Sequence, residues 1–341
     1  MRARYFPPAV LVTLMCLLAA PASGQNLAFS LFERYADSLR QSSGIPGLSA
    51  AIVQDGRVVW ERGFGVKDVD RQLPATPATP YPIFDLTQAL SAAALMQCRD
   101  SGMLSVEDTV RRWIPGLPPP GPSVAGLLAH AERGRFQYAP ERFGLLTRVL
   151  EGCVGLPIRV AVAERVFHPA GMLDSVMGRD LAGTTDGAVL ARHQAVLARL
   201  ATSYRVDRNG RAIRTDAPPA VDAATGAVST VRDLAAFDAA LDAGLLARAQ
   251  SVSLAQHAVS AAEGQGPTGL GWFVQDVGGE RLVWQFGLSP DAGSSLIVKV
   301  PERGLTLILL ANSDGLGPRS IHETGDVTQS VFVRIFLRLF V

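Results

Sequence analysis

The chain has 341 residues, 48% of them hydrophobic and 18% charged, with a formal charge of +1 at pH 7. A near-neutral chain of this kind has no electrostatic footprint for nucleic acid or for an acidic membrane surface. It contains only two lysines, Lys67 and Lys299, with Phe64 and Leu296 three positions before them, which excludes a Ser-x-x-Lys tetrad anywhere in the sequence.

Arg2 and Arg4, an apolar run from Val10 to Ala20, and Ala22-Ser23-Gly24 ahead of Gln25 follow the three-part pattern of a secretory signal peptide. The run is too short to span a bilayer. Residues 1–24 are therefore expected to be removed on export, with an uncleaved N-terminal anchor as the competing reading. About 317 residues with a formal charge of −1 would remain, in a secreted or periplasmic location and with no stable membrane span. That length suits one large domain, 25–341, or two closely packed lobes. Cys98 and Cys153 each fall on a segment that reads as helix. An oxidising compartment permits a disulfide between them, but spacing carries no geometry, and two buried thiols packed as small hydrophobes is the favoured expectation. The five histidines, His130, His168, His193, His257 and His322, are scattered; no metal motif is present and no cofactor is implied.

Along the chain, apolar residues at Leu31, Phe32, Tyr35 and Leu39 predict a helix over about Ala28 to Gln41. Strands are predicted at Leu48 to Val53 and Val58 to Phe64, joined by an Asp55-Gly56 turn. The proline-rich stretch from Leu73 to Pro82 argues against regular structure and marks a crossing between lobes. Helical patterns run from Asp85 to about Leu200, followed by an Asn209-Gly210 hairpin expected to decorate the surface. A helix from Val231 to Leu241, capped by Ser229 or Thr230, leads to strands at Gly271 to Val277, Leu282 to Phe286, Ser294 to Val300 and Leu305 to Ala311. The last two turn at Glu302-Arg303-Gly304, and Val327 to Val341 reads as an amphipathic docking helix. Strands at both ends with helices between them predict an α/β (α+β) fold. Residues 25–82 and 226–341 supply an antiparallel sheet flanked by helices, and 83–225 form an inserted, mainly helical lobe.

Several segments in this order resemble the serine β-lactamase and penicillin-binding protein superfamily, in its class C β-lactamase, DD-peptidase and esterase branch. They are Ile45 to Gly56, Gly102 to Val110 with Ile114-Pro115, Leu127-Leu128-Ala129-His130, Phe167 to Met172, Gly226 to Leu234, and Gly269 to Trp272. The resemblance implies a β-lactamase/transpeptidase-like fold and acyl transfer through a serine ester, with lysine, tyrosine and a strand-borne basic or histidine side chain moving protons. It places Asp85 at the serine position and Gln88 at the lysine position. Tyr138-Ala139-Pro140 corresponds to the Tyr-x-Asn motif, and Gln285-Phe286-Gly287 to the strand motif, with Leu288 beside it as an oxyanion donor. Only the tyrosine and the glycine match the family's chemistry.

The consequences differ by position. A carboxylate at 85 would yield a labile anhydride and place charge beside the oxyanion held by the N–H groups of Asp85 and Leu288. Gln88 and Gln285 cannot take a proton at neutral pH. Phe286 is expected to add bulk where a hydroxyl would clamp a substrate carboxylate, and Pro140 offers no donor. Asp-x-x-Gln at a helix start also resembles a capping box, and this reading is favoured over a repurposed catalytic carboxylate. Tyr138 is expected to hydrogen-bond within the cleft. Only five residues separate His130 from Phe136, so a more open cleft is expected there.

Asp85, Gln88, Tyr138, Gln285 and Leu288 are thus the candidate cleft residues, and no catalytic set is intact. The expectation is an exported, non-catalytic binding or regulatory protein whose partner is an unidentified small molecule, a peptidoglycan-derived peptide or a protein. The competing readings are a serine hydrolase with a displaced site, using Ser91, Ser289 or Ser294, and a sequence drifting without a selected function.

Overall fold

The computed structural model describes residues 22–180, 187–261 and 264–341. Most of the expected signal peptide, residues 1–21, lies outside them. The described chain opens with helix α1 (Ala22–Ser42) and the hairpin β1 (Gly47–Gln54) and β2 (Arg57–Asp68). Asp55 and Gly56 both have positive φ, 49° and 73°, the backbone that matches the twist of a two-residue hairpin. The proline-rich stretch is less irregular than expected, forming short strands at Leu73–Pro74 (β3) and Tyr81–Pro82. The other sheet strands come from the C-terminal part: β4 (Phe273–Val277), β5 (Glu280–Ser289), β6 (Gly293–Val300) and β7 (Leu305–Ala311). Their order is β4-β5-β6-β7-β1-β2-β3, and every pairing is antiparallel.

Both faces of this sheet are covered, which explains why β6 and β7 are buried along their whole length rather than alternating. On one face lie α1 and the C-terminal helix α6 (Val331–Phe340), joined by Phe32, Phe336 and Phe340 over Trp60, Trp284 and Leu296. A turn at Val327–Gln329 precedes α6, so the docking helix is shorter than its apolar pattern suggested. On the other face lie helices α2 (Thr87–Asp100) and α4 (Val231–Asp242) against Ala51, Ile297, Ile308 and Leu310. Thr230 caps α4 by accepting the Asp233 N–H at 3.1 Å. Buried Lys299 reaches from β6 to Asp238 and, at 2.7 Å, to Asp242 on this helix.

The inserted segment between the sheet halves holds helices, among them α3 (Leu146–Val154), but also short strand pairs. One of these corrects the expected surface hairpin. Strands Ser203–Val206 and Ala212–Thr215 dock on the sheet through Tyr204, which is buried. Its N–H donates to the Asn312 carbonyl at 2.8 Å and its hydroxyl accepts the Val69 N–H at 2.7 Å.

Two further expectations fail for reasons of geometry. Helix α2 does not begin at a capping box: a 3₁₀ turn at Phe84–Leu86 leads into it, and neither element has a side-chain cap. Asp85 and Gln88 point instead towards β5 and the cleft. Cys98 and Cys153 are not free thiols but a disulfide joining α2 to α3, with Cα atoms 6.3 Å apart; the spacing of 55 residues could not reveal that these helices lie side by side. Replacing both by serine is expected to lower the unfolding free energy by about 4 kcal/mol, the chain-entropy value for a loop of this length, as read from urea denaturation. An unchanged denaturation midpoint would show that the link does not constrain the unfolded chain.

Candidate functional site

The site forms where the turn before α2 meets β5. Phe84 has φ of 48°, a left-handed conformation that costs a bulky residue on the order of 1–3 kcal/mol and persists only where surrounding contacts impose it. Those contacts come from the strands. The Ser295 hydroxyl on β6 donates to the Ile83 carbonyl at 2.6 Å. Gly287 lets the backbone of β5 approach, because a Cβ there would stand 2.1 Å from the Ile83 oxygen and 3.0 Å from the Leu86 nitrogen.

This junction aims Asp85 at the end of β5. Its carboxyl Oδ2 accepts the Leu288 N–H at 3.2 Å, and the Tyr138 hydroxyl and its own backbone N–H lie near enough to favour its charged form. The two N–H groups are the pair to which the resemblance assigns the oxyanion, so the Asp85 carboxyl occupies that position itself. Burial pushes this carboxyl up to about 7, against the opposing pull of its three donors.

The surrounding groups form a network with a fixed direction. The Ala139 N–H donates to His130 Nδ1 at 3.2 Å, so the ring carries its proton on Nε2 and donates to Gln88 Oε1 at 2.9 Å. Gln285 Nε2 donates to the same Oε1 at 3.3 Å and to the Gly271 carbonyl at 3.2 Å. Gln88 Nε2 then donates to Tyr138 Oη at 3.4 Å, which leaves the tyrosine proton on the side of Asp85. His322, from the helix α5 (Ser320–Thr324), stacks on Tyr138 with ring centroids 4.1 Å apart and planes 5° apart, and hydrogen-bonds the Phe286 carbonyl at 2.6 Å. His130 lies against the same tyrosine at 4.5 Å. Burial lowers both imidazoles, His130 to about 3 and His322 to about 4, so both are neutral near pH 7. Burial, followed by the charge of Asp85, raises the Tyr138 hydroxyl well above its ordinary value.

Asp85, Gln88, Tyr138, Gln285 and Leu288 therefore converge, but the cleft is not the open one expected from the short His130–Phe136 segment. Asp85 is 9% exposed, Gln88 0% and Gln285 1%, and the rings of His130 and His322 fill the space about Tyr138. Phe286 does not project into the clamp position. Strand alternation turns it with Trp284 into the core beneath α1 and α6, where it meets the His322 ring at 5.3 Å. Pro140 starts the short helix Pro140–Phe143, where its missing N–H costs nothing.

The displaced serines gain no base. The Ser91 hydroxyl is buried without a partner, Ser294 donates to the Ser313 carbonyl at 2.7 Å, and no hydrogen bond among the described residues joins Ser91, Ser289 or Ser294 to a histidine or lysine. Lys67 donates to the Arg199 carbonyl at 2.8 Å and Lys299 serves α4. Sequence reasoning missed His322, which no local motif marks. His130 was visible within a matched segment but was given no role. Among the described residues no cluster of histidine, cysteine or carboxylate side chains is arranged for a metal, and no helix is long and apolar enough to cross a membrane.

A carboxyl whose folded pKa is raised holds its proton longer in the native state. The stability it contributes is therefore present below its unfolded value, about 4, and is lost as pH rises through about 7. Asp85→Asn removes that loss while keeping an acceptor for Leu288. Relative to the native chain, the variant is expected to gain on the order of 2–4 kcal/mol between pH 5 and pH 8, measured as the difference between the two proteins in chemical denaturation. A difference independent of pH would contradict the shifted carboxyl.

Comparison with known proteins matches this arrangement to one family. The Beta-lactamase family model matches residues 32–328. Protein flp of Staphylococcus aureus (strain NCTC 8325 / PS 47) is 36% identical over 75 residues, covering 22% of this chain and 15% of its own length. The human mitochondrial serine beta-lactamase-like protein LACTB is 29% identical over 80 residues, 24% of this chain and 15% of that protein. The chain thus spans about 15% of the length of these curated relatives in the matched region. Among solved structures, the octameric penicillin-binding protein homologue from Pyrococcus abyssi superposes with a TM-score of 0.75 at 21% identity, over 91% of this chain and 77% of that one. The class C beta lactamase from Rhodobacter sphaeroides gives 0.70 at 16% identity, over 92% and 99%. With the family match running through both sheet halves and the inserted lobe, the chain belongs to the β-lactamase family.

Proposed function

We propose that this protein is an exported β-lactamase-family member that has given up acyl transfer and acts by binding, its ligand being a small molecule, a peptidoglycan-derived peptide or a partner protein. The observation that carries this reading is the Asp85 carboxyl held on the Leu288 N–H at the oxyanion position. A tetrahedral intermediate needs that position empty and its donors unspent.

The remaining groups support the same reading. Gln88 and Gln285 hydrogen-bond each other and neither accepts a proton at neutral pH. His130 hydrogen-bonds Gln88, yet its Nδ1 is occupied by the Ala139 N–H and burial makes it a weak base. Attack by Asp85 on an acyl group would give an anhydride with no general base to resolve it. The class C beta lactamase and the hydrolase EstCE1, both similar in fold, carry activities that this constellation does not support.

The protein is expected to leave β-lactams and short esters unhydrolysed and to show no adduct by intact mass after incubation with a penicillin-type or fluorophosphonate probe. Asp85→Ser with Gln88→Lys is expected to take up probe slowly without turnover, because nucleophile, proton carriers and clamp act as one unit. Stoichiometric labelling of one serine in the unaltered protein would overturn the proposal.

A further inference from the structure

The inserted lobe carries a charged surface that the cleft does not use. The hairpin of strands Ser203–Val206 and Ala212–Thr215 holds Arg205, Arg208, Arg211 and Arg214 against one acid, Asp207, a net of +3 in a chain whose whole formal charge is +1. The near-neutral total conceals this concentration. All four arginines are exposed, and among the described residues none of their guanidinium groups takes part in a hydrogen bond or ion pair. Arg199 and Arg232, the arginines on either side in the chain, are paired with Asp174 and Glu61.

The hairpin displays these cations from a fixed frame. Asp207 Oδ1 accepts the N–H groups of Asn209 and Arg211, both at 2.9 Å, so its carboxylate is spent on the turn rather than on a guanidinium. Gly210, with φ of 75°, supplies the left-handed residue that the turn requires. Tyr204 anchors the root on the sheet, and the Thr215 hydroxyl donates to the Asp291 carbonyl at 2.7 Å in the turn between β5 and β6. Tyr204 is paired with Arg214 and Arg205 with Ile213, so strand alternation sends Arg205 and Arg214 to opposite faces, with Arg208 and Arg211 at the tip between them. The acids nearby gather at the root, where Asp68 and Asp70 act on the Tyr204 hydroxyl and Asp216 on Arg179.

Unpaired guanidinium forks fit phosphate oxygens. The side chains between them narrow the class of polyanion, because the hairpin presents no exposed aromatic or large apolar group. An acidic protein needs such groups for the core of an interface, a nucleic-acid base needs a ring to stack on, and a bilayer needs an apolar face to enter. A polymer with phosphates in its own backbone needs none of them. We propose that this hairpin is a docking surface for a phosphodiester-linked polyol or base-free sugar polymer, held through its phosphates by Arg205, Arg208, Arg211 and Arg214. Beyond the root, Ala217 packs with Ala292 on Phe84, so the bound polymer lies beside the junction that carries Asp85 without entering it.

The test is calorimetric titration with sodium polyphosphate as the probe. For the native chain the affinity is expected to fall roughly fiftyfold between about 50 and 200 mM salt, the counterion-release value for four phosphate contacts on a single strand. Arg208→Gln with Arg211→Gln should cut that fall to roughly sevenfold, the value for two contacts, and the fourfold glutamine variant should not bind. The substituted side chains are exposed, so an unchanged thermal midpoint is expected to accompany each loss. Binding retained by the fourfold variant, or a salt dependence that the double variant leaves unchanged, overturns the proposal. Affinity for poly-L-glutamate, duplex DNA or phosphatidylglycerol vesicles equal to or above that for polyphosphate overturns it as well. None of these variants touches the cleft, so the result stands apart from the loss of acyl transfer.

Discussion

A carboxyl group placed on a strand N–H at the junction of α2 and β5 organises the rest of the site. In the interior an ionisable group is tolerated only if hydrogen bonds offset its burial, and Asp85 takes the Leu288 N–H with Tyr138 beside it. Leu288 is fixed by the strand, and the tyrosine is aligned by the glutamine beneath it. The glutamine is oriented by a histidine whose tautomer is set by the Ala139 N–H. The cleft that this family fold builds between sheet and helices is consequently closed from within.

The scaffold around the junction carries features that cost stability. A left-handed phenylalanine and a strand glycine pressed against a neighbouring carbonyl are costly or restrictive arrangements. They serve to hold two backbone donors at a fixed point. Their presence beside an aspartate shows that backbone shape and side-chain chemistry are separable properties of the fold, with α2, buried all round and tied to α3 by a disulfide, acting as the rigid anchor.

Much of the architecture was legible in the sequence because it rests on local signals. Asp55-Gly56 names its turn, Thr230 names its cap, and Leu305 to Ala311 is a strand whose length and β-rich apolar run leave little choice. The candidate cleft residues were legible through motif order. What was not legible depends on distance in space. Asp85 and Gln88 have the spacing of a capping box whether or not they cap, and only the approach of β5 decides where they point. Cys98 and Cys153 reveal nothing of α2 lying against α3. His322 stands far along the chain from Tyr138 in a segment with no pattern of its own, and Tyr204 gives no sign that its hairpin packs on the sheet.

The fixed tautomer of His130 has a consequence for what position 88 can hold. Around that position the surroundings present two hydrogens, from His130 Nε2 and Gln285 Nε2, to a carbonyl oxygen. A lysine placed there would bring only donors to a place already supplied with donors, and the Ala139 N–H holds the ring against inverting to receive it. With its neighbours set for an amide, an ammonium at position 88 is the unfavourable choice even beside a serine at position 85. A lysine is accommodated there only if His130 or Gln285 changes with it, so the amide and its two partners constrain one another as a unit.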